Sequence, residues 1–287
     1  MSQSIHLLVI DPQNDFCDLP ENMLPADPLK PSQGRLRPQL PVAGAHQDML
    51  RLARFIERCA CVLTDITVTL DSHQHVGIER PAFWVQKNGE PVAPFTKILA
   101  SDVRAGEYRP RNRDLSERVL AYLDSLEEQG RYTHMVWPAH CEIGSWGHNV
   151  HAEVRRAYNL WEIQTQSQVH KIMKGTNPLT EHYSAIMAEV VDPDDPATGL
   201  NHALLARLSL SDMLIIAGEA GSHCAKATTE HLLEYLPIAR PECMVLLTDC
   251  MSPVMGFESE YQAFIDGMHK KGLRMANSVE LAHALGA

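Results

Sequence analysis

Cys224 lies in the segment Gly218-Glu219-Ala220-Gly221-Ser222-His223-Cys224-Ala225-Lys226-Ala227-Thr228, between the apolar run Met213-Leu214-Ile215-Ile216-Ala217 and a helix-compatible stretch over 225–236. A thiol placed where a buried strand turns into a helix sits at the helix N-terminus. The free N–H groups and positive dipole end there lower a cysteine pKa and favour the thiolate, the form that attacks electrophiles. The same residue type is commonly a small packing group, and the chain carries seven cysteines. What separates Cys224 from the others is the chemistry that neighbouring strand ends can bring to it.

Asp11 ends the run 5–10, within Ile10-Asp11-Pro12-Gln13-Asn14-Asp15-Phe16. A lone Asp at a strand end commonly caps a turn; beside a thiol it can instead accept the thiol's proton. The second apolar run passes into Thr69-Leu70-Asp71-Ser72-His73. Residues two apart on an extended strand share a face, so Asp71 and His73 can ligate one metal ion. Trp137-Pro138-Ala139-His140-Cys141 offers a further imidazole at an equivalent edge. A carboxylate and two imidazoles suit Zn²⁺, Fe²⁺ or Mn²⁺, with positions left open for water or substrate. Each of these groups can also be a hydrogen-bonded polar residue with no ion. Lys174-Gly175 closes the run 169–173. Lysines usually keep their ammonium in water, but one beside a glycine at a strand end can turn inward and hold a carboxylate or thiolate ionised.

These residues need a scaffold that gathers strand ends. Candidate strands cover 5–10, 59–70, 133–137, 170–173, 213–217, 244–248 and 273–276, with amphipathic stretches at 43–57, 150–159, 203–208 and 261–271 between them. The βαβ alternation predicts an α/β fold of three layers, a mostly parallel central sheet between two layers of helices, with ligands at the carboxyl ends of the strands. Residues 85–130 interrupt the alternation. Gly, Pro and charged residues dominate there until a helical stretch at 115–128. The segment reads as an insertion before His140 within a single domain spanning 1–287, either a solvated elaboration or a lid at the site mouth.

At 287 residues and 45% hydrophobic composition the chain can bury a full core. No apolar run approaches the length of a bilayer span, and an odd number of cysteines without Cys-x-x-Cys points to a reducing compartment, the cytoplasm. A formal charge of −11 disfavours nucleic acid and anionic membrane surfaces as partners. A small neutral or polar molecule remains. No Gly-x-Gly-x-x-Gly follows the first strand, which speaks against a dinucleotide-dependent enzyme.

Taken in order, the segment Ile10 to Phe16, Asp71-Ser72-His73, Trp137 to Cys141, Lys174-Gly175 with Tyr183-Ser184-Ala185, and Gly218 to Thr228 resemble the motifs of the isochorismatase-like cysteine hydrolases, and within them the nicotinamidases. The resemblance spans nearly the whole chain apart from the insertion. It implies a catalytic triad of Asp11, Lys174 and Cys224, and one divalent metal ion, zinc first and iron or manganese next, held by Asp71, His73 and His140. It further implies that Phe16 and Trp137 flank a planar substrate, that the peptide before Ala220 is cis, and that the Ala220 and Cys224 amides form an oxyanion hole. The implied reaction is hydrolysis of a small amide, nicotinamide foremost, to the acid and ammonia through a thioester. Related hydrolases act on non-pyridine amides, carbamoyl compounds or isochorismate-like substrates, and a non-catalytic binding module on the same scaffold is the alternative of another class. The chain departs from the pattern at Glu219, where nicotinamidases carry an apolar residue, at Gly221-Ser222-His223, and at Gly77 and Glu79, where some relatives place a further histidine. Relatives commonly form homodimers or tetramers, so self-association as a homo-oligomer is expected.

Overall fold

Leu7, Leu8, Val9 and Ile10 have no exposed surface, and neither do Ile215, Ile216 and Ala217. Strands without a solvated face need cover on both sides, which a layered α/β arrangement supplies. The computed structural model, which describes residues 3–30, 32, 34–236 and 241–287, has that arrangement. Its first half runs β1 (Ile5–Ile10), α1 (Ala45–Arg58), β2 (Asp65–Asp71), β3 (Trp84–Gln86), β4 (Thr96–Lys97), α2 (Ala100–Arg104), β5 (Tyr108–Pro110), α3 (Ser116–Gln129) and β6 (Met135–Val136). Its second half runs α4 (Ala152–Thr165), β7 (His170–Lys174), α5 (His202–Leu208), β8 (Met213–Gly218), α6 (Cys224–Tyr235), β9 (Met244–Leu247), α7 (Glu258–Lys270), β10 (Arg274–Ala276) and α8 (Ser278–Ala284).

Six of the strands form one all-parallel sheet in the order β10-β9-β8-β1-β2-β7. The chain steps outward from β1 to β7, then returns to β8 and steps outward the other way. Right-handed crossovers therefore place α1 and α4 on one face and α6 and α7 on the other. Accordingly α1 packs on α4, and α6 on β8. The reversal falls between β1 and β8, and the crevice beyond their carboxyl ends is where such sheets bind ligands.

Two sequence expectations change. Residues 59–64 close α1 rather than open a strand, because the Cys59 N–H still bonds to the Phe55 carbonyl at 2.9 Å, and β2 starts at Asp65. The run 133–137 does not enter the main sheet. Its β6 pairs antiparallel with β4, while β3 pairs with β5, and the place beside β2 goes to β7. The excursion between β2 and α4 has an apolar cluster of its own, including Ile78, Trp84, Val119, Leu123 and Val136. No helix among the described residues is long and apolar enough to cross a membrane.

Several core histidines are held neutral. Burial pushes His6, His134, His151 and His231 down to about 4, and His182 and His223 down to about 3, from an ordinary value of 6.5. Between those limits the unfolded chain binds more protons than the folded one, so stability falls as the pH drops from 6.5 toward 4. Thermal melts across that interval should show Tm falling by roughly 10 °C or more. A Tm that stays level would mean that these imidazoles gain their protons without unfolding.

Candidate active site

Neighbouring strands each deliver a functional residue at the carboxyl end. Asp11 follows β1, Asp71 ends β2, Lys174 ends β7, and Cys224 opens α6 beyond β8. All are buried. Two glycines make the delivery possible. Gly218, at φ +112°, passes so near β1 that a Cβ there would lie 2.0 Å from the Ile10 carbonyl oxygen. Gly175, at φ +82°, turns the chain out of β7 against His73, whose Cε1 a Cβ would meet at 2.9 Å.

Lys174 joins the parts. Its Nζ lies 2.9 Å from Asp11 Oδ2, 2.9 Å from Asp71 Oδ1 and 3.5 Å from Cys224 Sγ, and it donates to the His182 carbonyl at 3.1 Å. Thr69 Oγ1 donates to Asp11 Oδ1 at 2.5 Å and accepts from the Asp11 N–H at 3.0 Å. Burial alone would strip the charge from Lys174, yet Asp11 and Asp71 outweigh it and hold the ammonium well above its usual range. Burial pushes Asp11 up, opposed by Lys174. Burial also pushes the Cys224 thiol well up, again opposed by Lys174. This corrects the expectation of a resting thiolate at the helix N-terminus. Burial and the Asp11 and Asp71 carboxylates together favour the protonated sulfur, which a base must then deprotonate.

Asp71 turns its other oxygen to two imidazoles. Oδ2 lies 2.8 Å from His73 Nε2 and 3.1 Å from His140 Nε2. One ligand atom from each of the three residues falls within 4.8 Å of the others, a triangle that an ion with bonds of about 2.1 Å can span. The outward nitrogens are engaged elsewhere: His140 Nδ1 lies 2.8 Å from the Pro138 carbonyl and His73 Nδ1 3.0 Å from Glu79 Oε1. Such partners orient both Nε2 atoms inward, as in ligating histidines; against burial, Asp71 lifts His73 to about 9, so His73 would give up a proton to an incoming ion. Burial, with Arg80 beside it, pushes His140 down to about 4 and so keeps its Nε2 lone pair free. Gln13 fixes Asp71 by accepting from its N–H at 2.7 Å and donating to its carbonyl at 2.8 Å. The donor set fits a divalent ion.

Sequence reasoning missed Arg80 behind these candidate ligands and placed Glu79 only as the position where some relatives carry a further histidine. Arg80, only 1% exposed, donates to the Pro138 and His140 carbonyls at 2.6 and 2.5 Å, and its Nε lies 3.0 Å from Glu79 Oε1. Glu79 therefore stands behind His73 rather than among the ligands. No local signal marks Arg80, because it meets partners 58 and 60 positions away. His75 is exposed and faces Glu142 at 3.1 Å, away from the cluster.

Phe16, Trp137, Asp71, His140, Ala220 and Cys224 line one cavity of about 20 Å³. Glu181, Tyr183 and His223 are also on its wall. Trp137 Nε1 donates to the Tyr183 hydroxyl at 3.0 Å. Glu181 is 5% exposed, and its Oε2 has no hydrogen-bond partner among the described residues. The Glu219–Ala220 peptide is cis. Neither the Ala220 nor the Cys224 N–H has a hydrogen-bond partner among the described residues, so both donors are free to serve an oxyanion. Glu219 is absent from the cavity wall. Its Oε2 accepts from the Ser252 N–H at 3.2 Å, and Ser252 Oγ donates to Asp48 Oδ2 at 2.5 Å. The departure at position 219 is thus answered by a buried polar network rather than by the substrate side of the turn.

No family model matches the chain, and no curated protein matches it in sequence. Solved structures match it in fold. A nicotinamidase and pyrazinamidase of Acinetobacter baumanii covers 98% of this chain and 99% of its own, with a TM-score of 0.61 at 18% identity. A pyrazinamidase of Pyrococcus horikoshii, solved in complex with zinc, covers 96% and 99%, with a TM-score of 0.50 at 16% identity. An isochorismatase family protein from Desulfovibrio vulgaris covers 100% of both chains, with a TM-score of 0.52 at 16% identity. The chain therefore has the isochorismatase-like α/β fold. Within that fold its structural neighbours include nicotinamidases and pyrazinamidases.

Proposed function

We propose that the chain is a metal-dependent cysteine hydrolase that converts a small primary amide to its acid and ammonia, with nicotinamide the leading substrate. The observation that carries this reading is Lys174, whose ammonium touches Asp11, Asp71 and the Cys224 sulfur in one buried cluster. Packing does not explain such a group. Each buried charge costs several kcal/mol in lost hydration, and apolar side chains would fill the same volume without that cost. The shared fold with nicotinamidases and pyrazinamidases supports the amide as substrate.

Asp11 takes the proton from Sγ as the sulfur attacks the amide carbon. The Ala220 and Cys224 N–H groups receive the oxyanion, a contribution of about 3 to 4 kcal/mol in comparable sites. Asp11 then returns the proton to the nitrogen, the C–N bond breaks, and ammonia leaves a thioester on Cys224. A proton passes from the attacking water to Asp11 and on to the departing sulfur, which frees the acid and restores the thiol. Lys174 stays protonated and keeps Asp11 ionised between turnovers. Phe16 and Trp137 hold a flat substrate across the cavity. An ion on Asp71, His73 and His140 would supply Lewis acidity toward a ring nitrogen or water.

Zinc is the first candidate, since the Pyrococcus pyrazinamidase was solved with it. The purified protein should carry about one divalent ion per chain, and His73→Ala less than about a tenth of that. Elemental analysis measures both; full occupancy in the variant would move the ion elsewhere. Ammonia release across nicotinamide, pyrazinamide and aliphatic primary amides tests the reaction. Turnover of an aliphatic amide with none of nicotinamide would overturn the leading substrate, and no turnover of any amide would overturn the reaction itself.

A further inference from the structure

Trp137, Tyr183 and His223 line a second cavity as well, of about 190 Å³ against about 20 Å³ at Cys224. Its wall is aromatic. Tyr132 and Tyr183 have ring centroids 4.8 Å apart, Trp137 and His223 5.1 Å, and His223 and Phe257 4.6 Å. Lys97, Arg131 and Lys226 also line it, with Glu260 the carboxylate on the wall. Lys97 lies on β4 and Arg131 between α3 and β6, so the excursion from the main sheet builds this side, while Lys226 follows Cys224 on α6.

The charges do not cancel. Glu230 is shared between two cations, 3.0 Å from Arg131 Nη2 and 3.3 Å from Lys226 Nζ. Glu189 lies 3.5 Å from Arg131 Nη1, but burial pushes it up to about 7, so at neutral pH it is only partly charged. Glu260 offsets part of the charge of Lys97, which is exposed and forms no ion pair among the described residues. Lys226 is held in place over the Tyr132 ring, 4.6 Å from its centroid. Three cations at one cavity reverse the sign of a chain whose formal charge is −11. A concave site with aromatic walls and a positive excess of less than one charge suits a flat monoanion.

We infer that the second cavity is a vestibule for a carboxylate at the far end of the substrate. Among the primary amides the Cys224 site takes, the one it prefers is then a flat molecule with the amide at one end and an acid at the other, while nicotinamide fills the narrow cavity alone. The narrow cavity admits the amide, and the rest of the molecule extends past Trp137, Tyr183 and His223 toward Lys97, Arg131 and Lys226. A carboxylate matches that small excess better than a phosphate dianion does. The inference rests on the amidase reading of the Cys224 site.

The test compares 4-carbamoylbenzoate with benzamide, by calorimetric binding to Cys224→Ala and by ammonia release from the unsubstituted protein. The acid-bearing amide should bind at least about 10-fold tighter, a preference that added salt erodes. The ratio should fall toward unity in Lys97→Ala, a surface substitution, and in Lys226→Met, which keeps an aliphatic stem over Tyr132. Equal binding of the two amides, or a preference that survives both substitutions, overturns the vestibule. A binding preference without ammonia release from any amide upholds the vestibule and overturns the amidase reading instead.

Discussion

Cys224→Ala will lower kcat by about 10⁵-fold, while Tm moves by no more than about 2 °C. The two halves of this expectation have separate grounds. In the proposed reaction the sulfur is the atom that bonds to substrate, so its loss would remove the thioester route and leave only the help that the Ala220 and Cys224 amides, and an ion on Asp71, His73 and His140, would give to attack by water. The buried framework survives, because Lys174 keeps Asp11 and Asp71 at 2.9 Å and loses only a contact at 3.5 Å. Cys224→Ser should fall nearly as far, since Asp11 would have to deprotonate a far weaker acid. Ammonia release, a thermal melt and metal content on the same preparation decide the matter. Hydrolysis above about 1% of the parent rate in the alanine variant would place the nucleophile elsewhere or dispense with it.

The sites at Asp11, Asp71, Lys174 and Cys224 are legible in the sequence because each closes or follows an apolar run that becomes a strand of one parallel sheet. Parallel strands end at a common edge, so residues far apart in the chain meet there. His140 reaches the same cluster by another route. Its preceding run is buried, as the sequence indicates, but an apolar run reports burial and not the partner, and β6 pairs with β4 outside the main sheet. Arg80 then fixes the loop through the Pro138 and His140 carbonyls. Arg80 and Glu181 are silent in the sequence, since a charged residue reads as surface until its partner is known. The protonation of Cys224 is misread for a related reason. A helix terminus is a local feature visible in the chain, whereas desolvation depends on everything packed around the sulfur.

Lys174→Met should destabilise the protein by about 3 to 5 kcal/mol and lower kcat by about 10³-fold, and the pH dependence of both losses identifies the cause. Methionine fills the space but strands two buried carboxylates. Asp71 still faces His73 and His140 at 2.8 and 3.1 Å, whereas Asp11 is left with Thr69. Without the ammonium, burial and the Asp71 charge, opposed only by Thr69, drive the Asp11 carboxyl further above its ordinary 3.8, so a larger share of it holds a proton and cannot accept one from Cys224. A carboxyl whose folded pKa lies above the unfolded value stabilises the fold at low pH and loses that contribution as pH rises through the folded value. The variant should therefore grow less stable relative to its parent from about pH 4 upward, while its small residual kcat climbs with pH as Asp11 ionises. Adding Asp11→Asn removes the stranded acid and should restore about 1 to 3 kcal/mol without restoring turnover. Should Lys174→Met melt with its parent at pH 7, or the added Asn fail to recover stability, the ammonium is not what holds Asp11 ionised, and the base must be sought elsewhere in the pocket.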